Sequence, residues 1–326
     1  MNRGKLILDA TCAPADIRYP TDLGLLNQAR KQTEKIIDIL YNRLEEKPRK
    51  KPITQRIVAK KEYLKIAKKR RVTKKQRRKA IKKQLQYINR NLGHIEQLQM
   101  SGAKLEWLND QQYKILLVVA SVYQQQLSMY ENKQQRIDDR IVSLTQPHVR
   151  PIVRGKAGTP VEFGAKLSVS YRNGYVFIDR LSWDNFNESG DLKLQAEEFK
   201  IATGSYPESI HVDQIYRTQE NRAWCKEREI RITGVPLGRP PKIIDKEAKK
   251  QAQLDERFRS RIEGKFGEAK RRFSLSRVMT KLSETSQTAI AITFLVMNLS
   301  ALLRQFYAFF CIYLRINTFF EIFEIG

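Results

Sequence analysis

The sequence predicts an α/β fold, a mixed sheet flanked by helices with a basic helical insertion after the first strand. Three observations predict it. Gly4–Thr11 (GKLILDAT) and Glu208–Tyr216 (ESIHVDQIY) are short apolar runs closed by polar residues, and runs rich in Ile, Leu and Val read as buried strands. Val161–Val169 and Tyr175–Asp179 alternate around Arg172-Asn173-Gly174, and Asn-Gly between alternating runs is a strong hairpin signal. Between these strands, residues 22–143 carry apolar side chains at three- and four-residue spacing, the period of helices.

Each element follows in order. Residues 1–21 hold the first strand and a proline-containing turn, which Pro20-Thr21-Asp22 closes. Leu26, Ala29, Thr33, Ile36, Leu40 and Leu44 then mark one helix, and Ile81, Leu85, Ile88, Leu92 and Ile95 a second after Thr73. Tyr113, Leu116, Ala120, Tyr123, Leu127 and Tyr130 mark a third, so 22–143 reads as an antiparallel helical insertion. Residues 144–304 return to the sheet: the hairpin, a helix over Asp191–Ala202, the strand ending near Asp213, a helix over Asn221–Arg228 and a short strand at Ile230–Ile232. Gly238-Arg239-Pro240-Pro241-Lys242 is a stiff basic loop ahead of a long helix. Thr285–Leu303 is uncharged, and 305–326 forms a further apolar tail. Spanning a bilayer takes about 20 apolar residues, and Thr293, Asn298 and Ser300 favour a helix packed on the sheet over a membrane span.

Charge sets the class of partner. Across 326 residues, 61 Lys and Arg stand against 35 Asp and Glu, a net charge of +26, which points to a polyanion, nucleic acid before an anionic membrane. Lys47–Lys83 alone holds nineteen Lys or Arg and one acid, Glu62. Its clusters, Lys68, Lys69, Arg70, Arg71, Lys74, Lys75, Arg77 and Arg78, read as phosphate contacts that position DNA without reading its sequence. Cys12, Cys225 and Cys311 are scattered without metal-ligand spacing, which fits a reducing, intracellular setting.

The chemistry concentrates in Asp255–Phe273, DERFRSRIEGKFGEAKRRF. At about 100° per residue it sorts into three stripes. Glu256, Arg259, Glu263 and Lys270 share one, and Phe258, Ile262, Phe266, Ala269 and Phe273 form the apolar one beside it. Arg257, Arg261, Glu268, Arg271 and Arg272 fill the solvent-facing arc. A carboxylate among cations at the margin of a buried face suits a site where metal and phosphate meet, and also reads as an ordinary basic amphipathic helix. Asp9 and Asp213 each end a predicted strand, where an acid serves as a strand cap or, with Glu263, as an oxygen ligand for Mg²⁺ or Mn²⁺.

Here the chain resembles the DDE transposases of bacterial insertion sequences, in the group related to insertion sequence five. The resemblance runs through LILDATCAPADIRYPTDL, VRGKAGTPVEFGAKLSVS, FIDRLSWD, VDQIYRTQENRAWCKE, GRPPK, IEGKFGEAKRRF and TFLVMNLSALL, almost the whole chain to Arg304. The family's helical signature, Tyr, two residues, Arg, three residues, Glu, six residues, Lys, matches at Arg259, Glu263 and Lys270, with Glu256 in the tyrosine position. The resemblance implies an RNase H-like fold and a catalytic triad of Asp9, Asp213 and Glu263 that holds Mg²⁺ or Mn²⁺. It implies that Arg259 and Lys270 hold DNA phosphates, that transposon ends and target DNA are the partners, and that two copies act on DNA as a homodimer. The implied activity is metal-dependent cleavage and transfer of DNA strands at insertion-sequence ends, in the nucleoid of a bacterial cytoplasm. Family members carry a helical, end-recognising region before the first strand. Asp9 lies eight residues after Met1, which reads as a truncated copy, with inactivity as one consequence. The alternatives are a non-catalytic basic DNA-binding remnant and an RNase H-like nuclease.

Other candidates carry less. His211 shares a strand face with Asp213 and reads best as packed or hydrogen-bonded, and His94 and His148 have no constellation. Asp16, Asp22, Asp179 and Asp184 sit at turns or strand ends, where acids have local hydrogen bonds to make. Trp183 and Trp224 read as buried aromatics. Gly155-Lys156-Ala157-Gly158 lacks the spacing of a nucleotide-binding loop and leads into a strand, which excludes an NTPase.

Overall fold

A computed structural model describes residues 1–153, 161–234 and 246–324, with side chains described as far as Tyr313. The Gly155–Gly158 and Gly238–Lys242 loops lie outside the described residues. In chain order the elements are β1 (Lys5–Pro14), α1 (Asp22–Arg43), α2 (Arg56–Ala67), α3 (Lys74–Met100), α4 (Asp110–Glu131), β2 (Arg150–Val153), β3 (Val161–Arg172) and β4 (Tyr175–Ser182). They continue with α5 (Leu192–Thr203), β5 (Ser209–His211), α6 (Gln219–Glu227), β6 (Arg231–Ile232), α7 (Lys246–Arg272) and α8 (Ser283–Glu324). The chain divides into two compact units, Met1–Asp16 with Pro151–Gly326, and Ile17–Arg150.

The first unit is a mixed sheet flanked by helices, the RNase H-like arrangement. Its strands run β2-β3-β1-β5-β6, with β4 also paired to β3. β3 lies antiparallel to β1, while β5 lies parallel to β1 and β6 parallel to β5. The β3–β4 turn holds Asn173 at φ 53° and Gly174 at φ 94°, the positive angles that a tight hairpin demands.

Alternation along β1 assigns its side chains to two cores. Ile7 and Ala13 join Leu167 and Val169 of β3 against Ile262, Phe266 and Ala269 of α7 and Ile290, Phe294 and Met297 of α8. Leu6 and Leu8 pack on the other face with Ala196 and Phe199 of α5, Tyr216 and Cys225. Burial pushes the Cys225 thiol up to about 11, so it behaves as a small apolar residue.

α7 is fastened to the sheet at its charged end as well. Asp255 accepts two hydrogen bonds from Arg231, at 2.6 and 3.0 Å, and one from Gln251 at 3.0 Å. His211 packs on Phe258, 4.8 Å between ring centroids, with Nε2 3.1 Å from Ser209 Oγ. Burial lowers its pKa to about 4, so it is a neutral packing residue at physiological pH.

The sequence divides the C-terminal apolar region at Arg304, but α8 runs through that position as one helix. The Arg304 guanidinium reaches Glu268 of α7, 2.8 Å away, and arginine is a good helix former. One face of α8 is docked by Ile290, Phe294, Met297 and by Asn298, whose side chain bonds both Val176 N and Val176 O. Leu295, Leu299, Leu303 and Phe306 on other faces are exposed. By length and composition, Ser283–Tyr313 is long and apolar enough to cross a membrane.

The second unit contains four helices, and the predicted insertion 22–143 falls inside it. Thr21, Thr73 and Asn109 cap α1, α3 and α4, each accepting a backbone N–H three residues on. Leu25, Leu26 and Ala29 of α1, Leu85 and Ile88 of α3, and Ile115, Val119 and Val122 of α4 make its core. Helix α2 goes unseen in the sequence because only Ala59 of its residues is buried, so it has no apolar period to display.

Candidate active site

Parallel pairing of β1 with β5 brings two distant acids together. The last paired residues are Ile7 and His211. β5 stops there, while β1 continues to Pro14. Beyond that point a cleft of about 760 Å³ opens, lined by Asp9 of β1, Asp213 and Ile215 after β5, and Arg259, Glu263, Phe266 and Lys270 of α7. All three predicted carboxylates and both predicted cations of the helix therefore face one cavity.

Asp9 lies on the β1 face that α7 covers. It is half-buried, and its Oδ1 accepts the Ala10 amide at 2.8 Å. Burial pushes its carboxyl up to about 6. The Ala10 amide and Arg259 oppose that shift, and Glu263 and Asp213 add to it. The two other acids are thus close enough for their charges to be felt at Asp9. Asp213 caps the 3-10 turn Gln214–Tyr216, with Oδ1 2.6 Å from Gln214 N. Asp213 therefore caps that turn and lines the cleft as well.

Arg259 organises the helix side. Its side chain is only 15 % exposed, and Nη1 lies 3.1 Å from Glu263 Oε1. The rest of the guanidinium is held by Glu256, and hydrogen bonds to that carboxylate push the arginine pKa up. Glu268, assigned to solvent by periodicity, is in fact 15 % exposed, with Lys265, Arg272 and Arg304 around it.

The opposite wall carries residues that periodicity and motifs do not single out. Lys166 of β3 donates to Phe186 O at 2.5 Å and pairs with Glu188, and Asn185, Phe186 and Asn187 line the cleft beside it. The signal was present in GAKLSVS: a lysine inside a buried strand is costly unless it has a partner and a purpose.

The donor set tests whether an ion suits this cleft. Three carboxylates are the oxygen ligands that Mg²⁺ and Mn²⁺ favour, and Asp9, raised mainly by burial with small additions from Glu263 and Asp213, is a carboxyl whose ionised form a bound cation would favour. Among the described residues no three His, Cys, Asp or Glu side chains stand together as a formed metal shell. Glu263 is engaged by Arg259 and Asp213 by its backbone cap. The residues fit the ion by chemistry and stand around the cleft as an open set.

The basic clusters belong to the second unit. Lys68, Lys69, Arg70 and Arg71 are exposed in the α2–α3 turn, and Lys74, Lys75 and Arg77 are exposed on the first turn of α3. Arg78 differs: it is half-buried, with its guanidinium 4.0 Å from the Tyr130 ring centroid. Asp16 and Asp179 are engaged elsewhere, Asp16 by Arg277 and Lys281 and Asp179 by Ser170 and Gln195.

No curated protein and no solved structure matches the chain. Residues 210–300 match the family model described as the transposase DDE domain. That stretch runs from β5 into α8 and contains Asp213, Arg259, Glu263 and Lys270, while Asp9 joins them from β1. Over residues 210–300 the chain is thus similar to the transposase DDE domain.

Proposed function

We propose that the cleft cleaves and joins DNA strands at the ends of a bacterial insertion sequence, with Asp9, Asp213 and Glu263 as its catalytic carboxylates. The observation that carries the reading is the shared cavity: three acids whose charges meet at Asp9, with Arg259 and Lys270 on the same lining. The match over 210–300 supports the same chemistry.

Asp9, Asp213 and Glu263 would hold Mg²⁺ or Mn²⁺. Such ions, when bound, supply positive charge to the attacking and leaving oxygens of a phosphodiester. Arg259 and Lys270 hold the phosphate of the reacting strand beside the acids, which fixes the strand for in-line attack. The attacker is water in end cleavage and a DNA 3′-hydroxyl in joining, and both need the same alignment. The exposed cations of Lys68–Arg77 add phosphate contacts that hold DNA without regard to sequence. Two copies on one DNA, each acting on one end, complete the reading.

The test is incubation with Mg²⁺ and a duplex that carries insertion-sequence ends, reading nicks and joined products. Nicking followed by joining supports a transposase. Nicking of any duplex or RNA–DNA hybrid without joining assigns the cleft to a nuclease. Binding without nicking leaves a DNA-binding protein.

A further inference from the structure

Glu256 occupies a guanidinium that the reading above assigns to DNA. Nε of Arg259 lies 3.1 and 3.2 Å from its two oxygens, and Nη2 lies 2.6 Å from Oε1. The arginine side chain is 15 % exposed and the glutamate 61 %. A shielded guanidinium gripping both oxygens of a solvent-facing carboxylate has the form in which arginine binds a two-oxygen anion, phosphate included.

A second arginine feels the charge of the same carboxylate. Arg217 follows the turn that Asp213 caps, and both Asp213 and Glu256 act on its charge. Its Nη2 donates to Val212 O at 2.8 Å, and its Nε is buried without a hydrogen-bond partner. Gly234 makes room for it: a β-carbon there would lie 2.0 Å from Arg217 Cζ, and Gly234 holds φ at +117°, an angle suited to glycine. A half-buried guanidinium with an unsatisfied donor is a costly way to fill space. The charges of Asp213, Glu256 and Arg259 all act on it, and an anion bound between the two arginines gives that cost a use.

We propose that Arg217 and Arg259 form a binding site for one phosphodiester group of the DNA strand, and that Glu256 fills this site as an internal anion until DNA displaces it. The proposal rests on the reading of the cleft as a site of DNA strand cleavage. It adds Arg217 to the phosphate-holding residues and makes Glu256 a competitor of the substrate. Displacement frees a carboxylate that takes up cations from solution, which offsets part of the counterion release that accompanies phosphate binding.

The experiment is fluorescence anisotropy of a labelled duplex with the full chain, in EDTA, across a salt series. Without metal there is no cleavage to read, so failure of the strand-cleavage reading and failure of this proposal show in different assays. Glu256→Gln keeps the shape and removes the charge. The expected result is binding roughly fivefold tighter, with a salt slope steeper by up to about 0.9, the value of one neutralised phosphate. Arg217→Gln weakens binding, and the Glu256→Gln gain shrinks in its background. Glu284→Gln, an exposed acid at the start of α8, controls for net charge. Equal gains from Glu256→Gln and Glu284→Gln overturn the proposal, as does a Glu256→Gln chain of unchanged circular dichroism that binds no tighter than the parent.

Discussion

Asp9 and Asp213 each stand two residues beyond Ile7 and His211, the last pair that joins β1 to β5. The pairing joins them although the whole second unit intervenes in sequence. Because β5 ends at His211, Asp213 lies after the strand as the cap of a 3-10 turn, while β1 continues through Asp9 to Pro14. The cleft is therefore a product of strand length as much as of side-chain choice.

That register depends on the close approach of β1 and β3. A β-carbon at Gly164 would lie 2.1 Å from Ala13 O and 2.8 Å from Pro14 Cα, and both obstacles are backbone. Gly164→Ala must push the strands apart, with an expected loss of about 1–3 kcal/mol, the usual cost of overpacking. Chemical denaturation measures it. A variant as stable as the parent would show that β1 shifts freely there.

Asp179 gives a pH signature independent of the cleft. Burial pushes its carboxyl up to about 6 despite hydrogen bonds from Gln195 at 2.5 Å and Ser170 at 2.9 Å. The folded state then holds this proton more tightly than the unfolded state does, so its contribution is complete below about pH 4 and is lost as pH rises through about 6. Asp179→Asn should flatten stability between those values relative to the parent. Parallel stability–pH curves for the two proteins would contradict the assignment.

The same physics gives a metal test with no DNA present. Mn²⁺ needs the ionised carboxylates, and Asp9 holds its proton to about 6. Stabilisation by excess Mn²⁺, read as a rise in Tm, should be present at about pH 7.5, fall as pH drops through 6, and be removed by EDTA. Equal stabilisation at about pH 5 and about pH 7.5 would place the ion elsewhere.

For the second unit, replacing Lys68, Lys69, Arg70, Arg71, Lys74 and Lys75 with glutamine should weaken binding to all duplexes alike. The salt slope should flatten by about 0.9 for each phosphate that the variant no longer neutralises. An unchanged slope means these side chains stay in solvent, and weakening confined to one sequence means they read bases.

Much of this was legible in sequence because it rests on periodicity. The apolar stripe of α7 and the Asn-Gly hairpin write themselves into residue spacing. Asp213 stood out in sequence as a strand-end acid and Glu263 as an acid beside the apolar stripe of a helix, and both line the cleft. Lys166 and Arg217 are placed by residues of other elements, Glu188 for the one and Gly234 for the other. Spacing carries no record of such encounters. Nor does it reveal a helix like α2, whose apolar residues are spread around it rather than gathered in a stripe, or that Glu268 is enclosed by three cations, one of them from α8.

The central claim is that the three carboxylates work as one site. Mg²⁺-dependent nicking of duplex DNA by Asp9→Asn, Asp213→Asn and Glu263→Gln, beside the parent and Asp179→Asn, tests it most directly. The account predicts that nicking by each of the three falls at least about a hundredfold, on the scale of removing a principal electrostatic group, while DNA affinity and fold persist and Asp179→Asn still nicks. Parent-like nicking by any one of the three would contradict it.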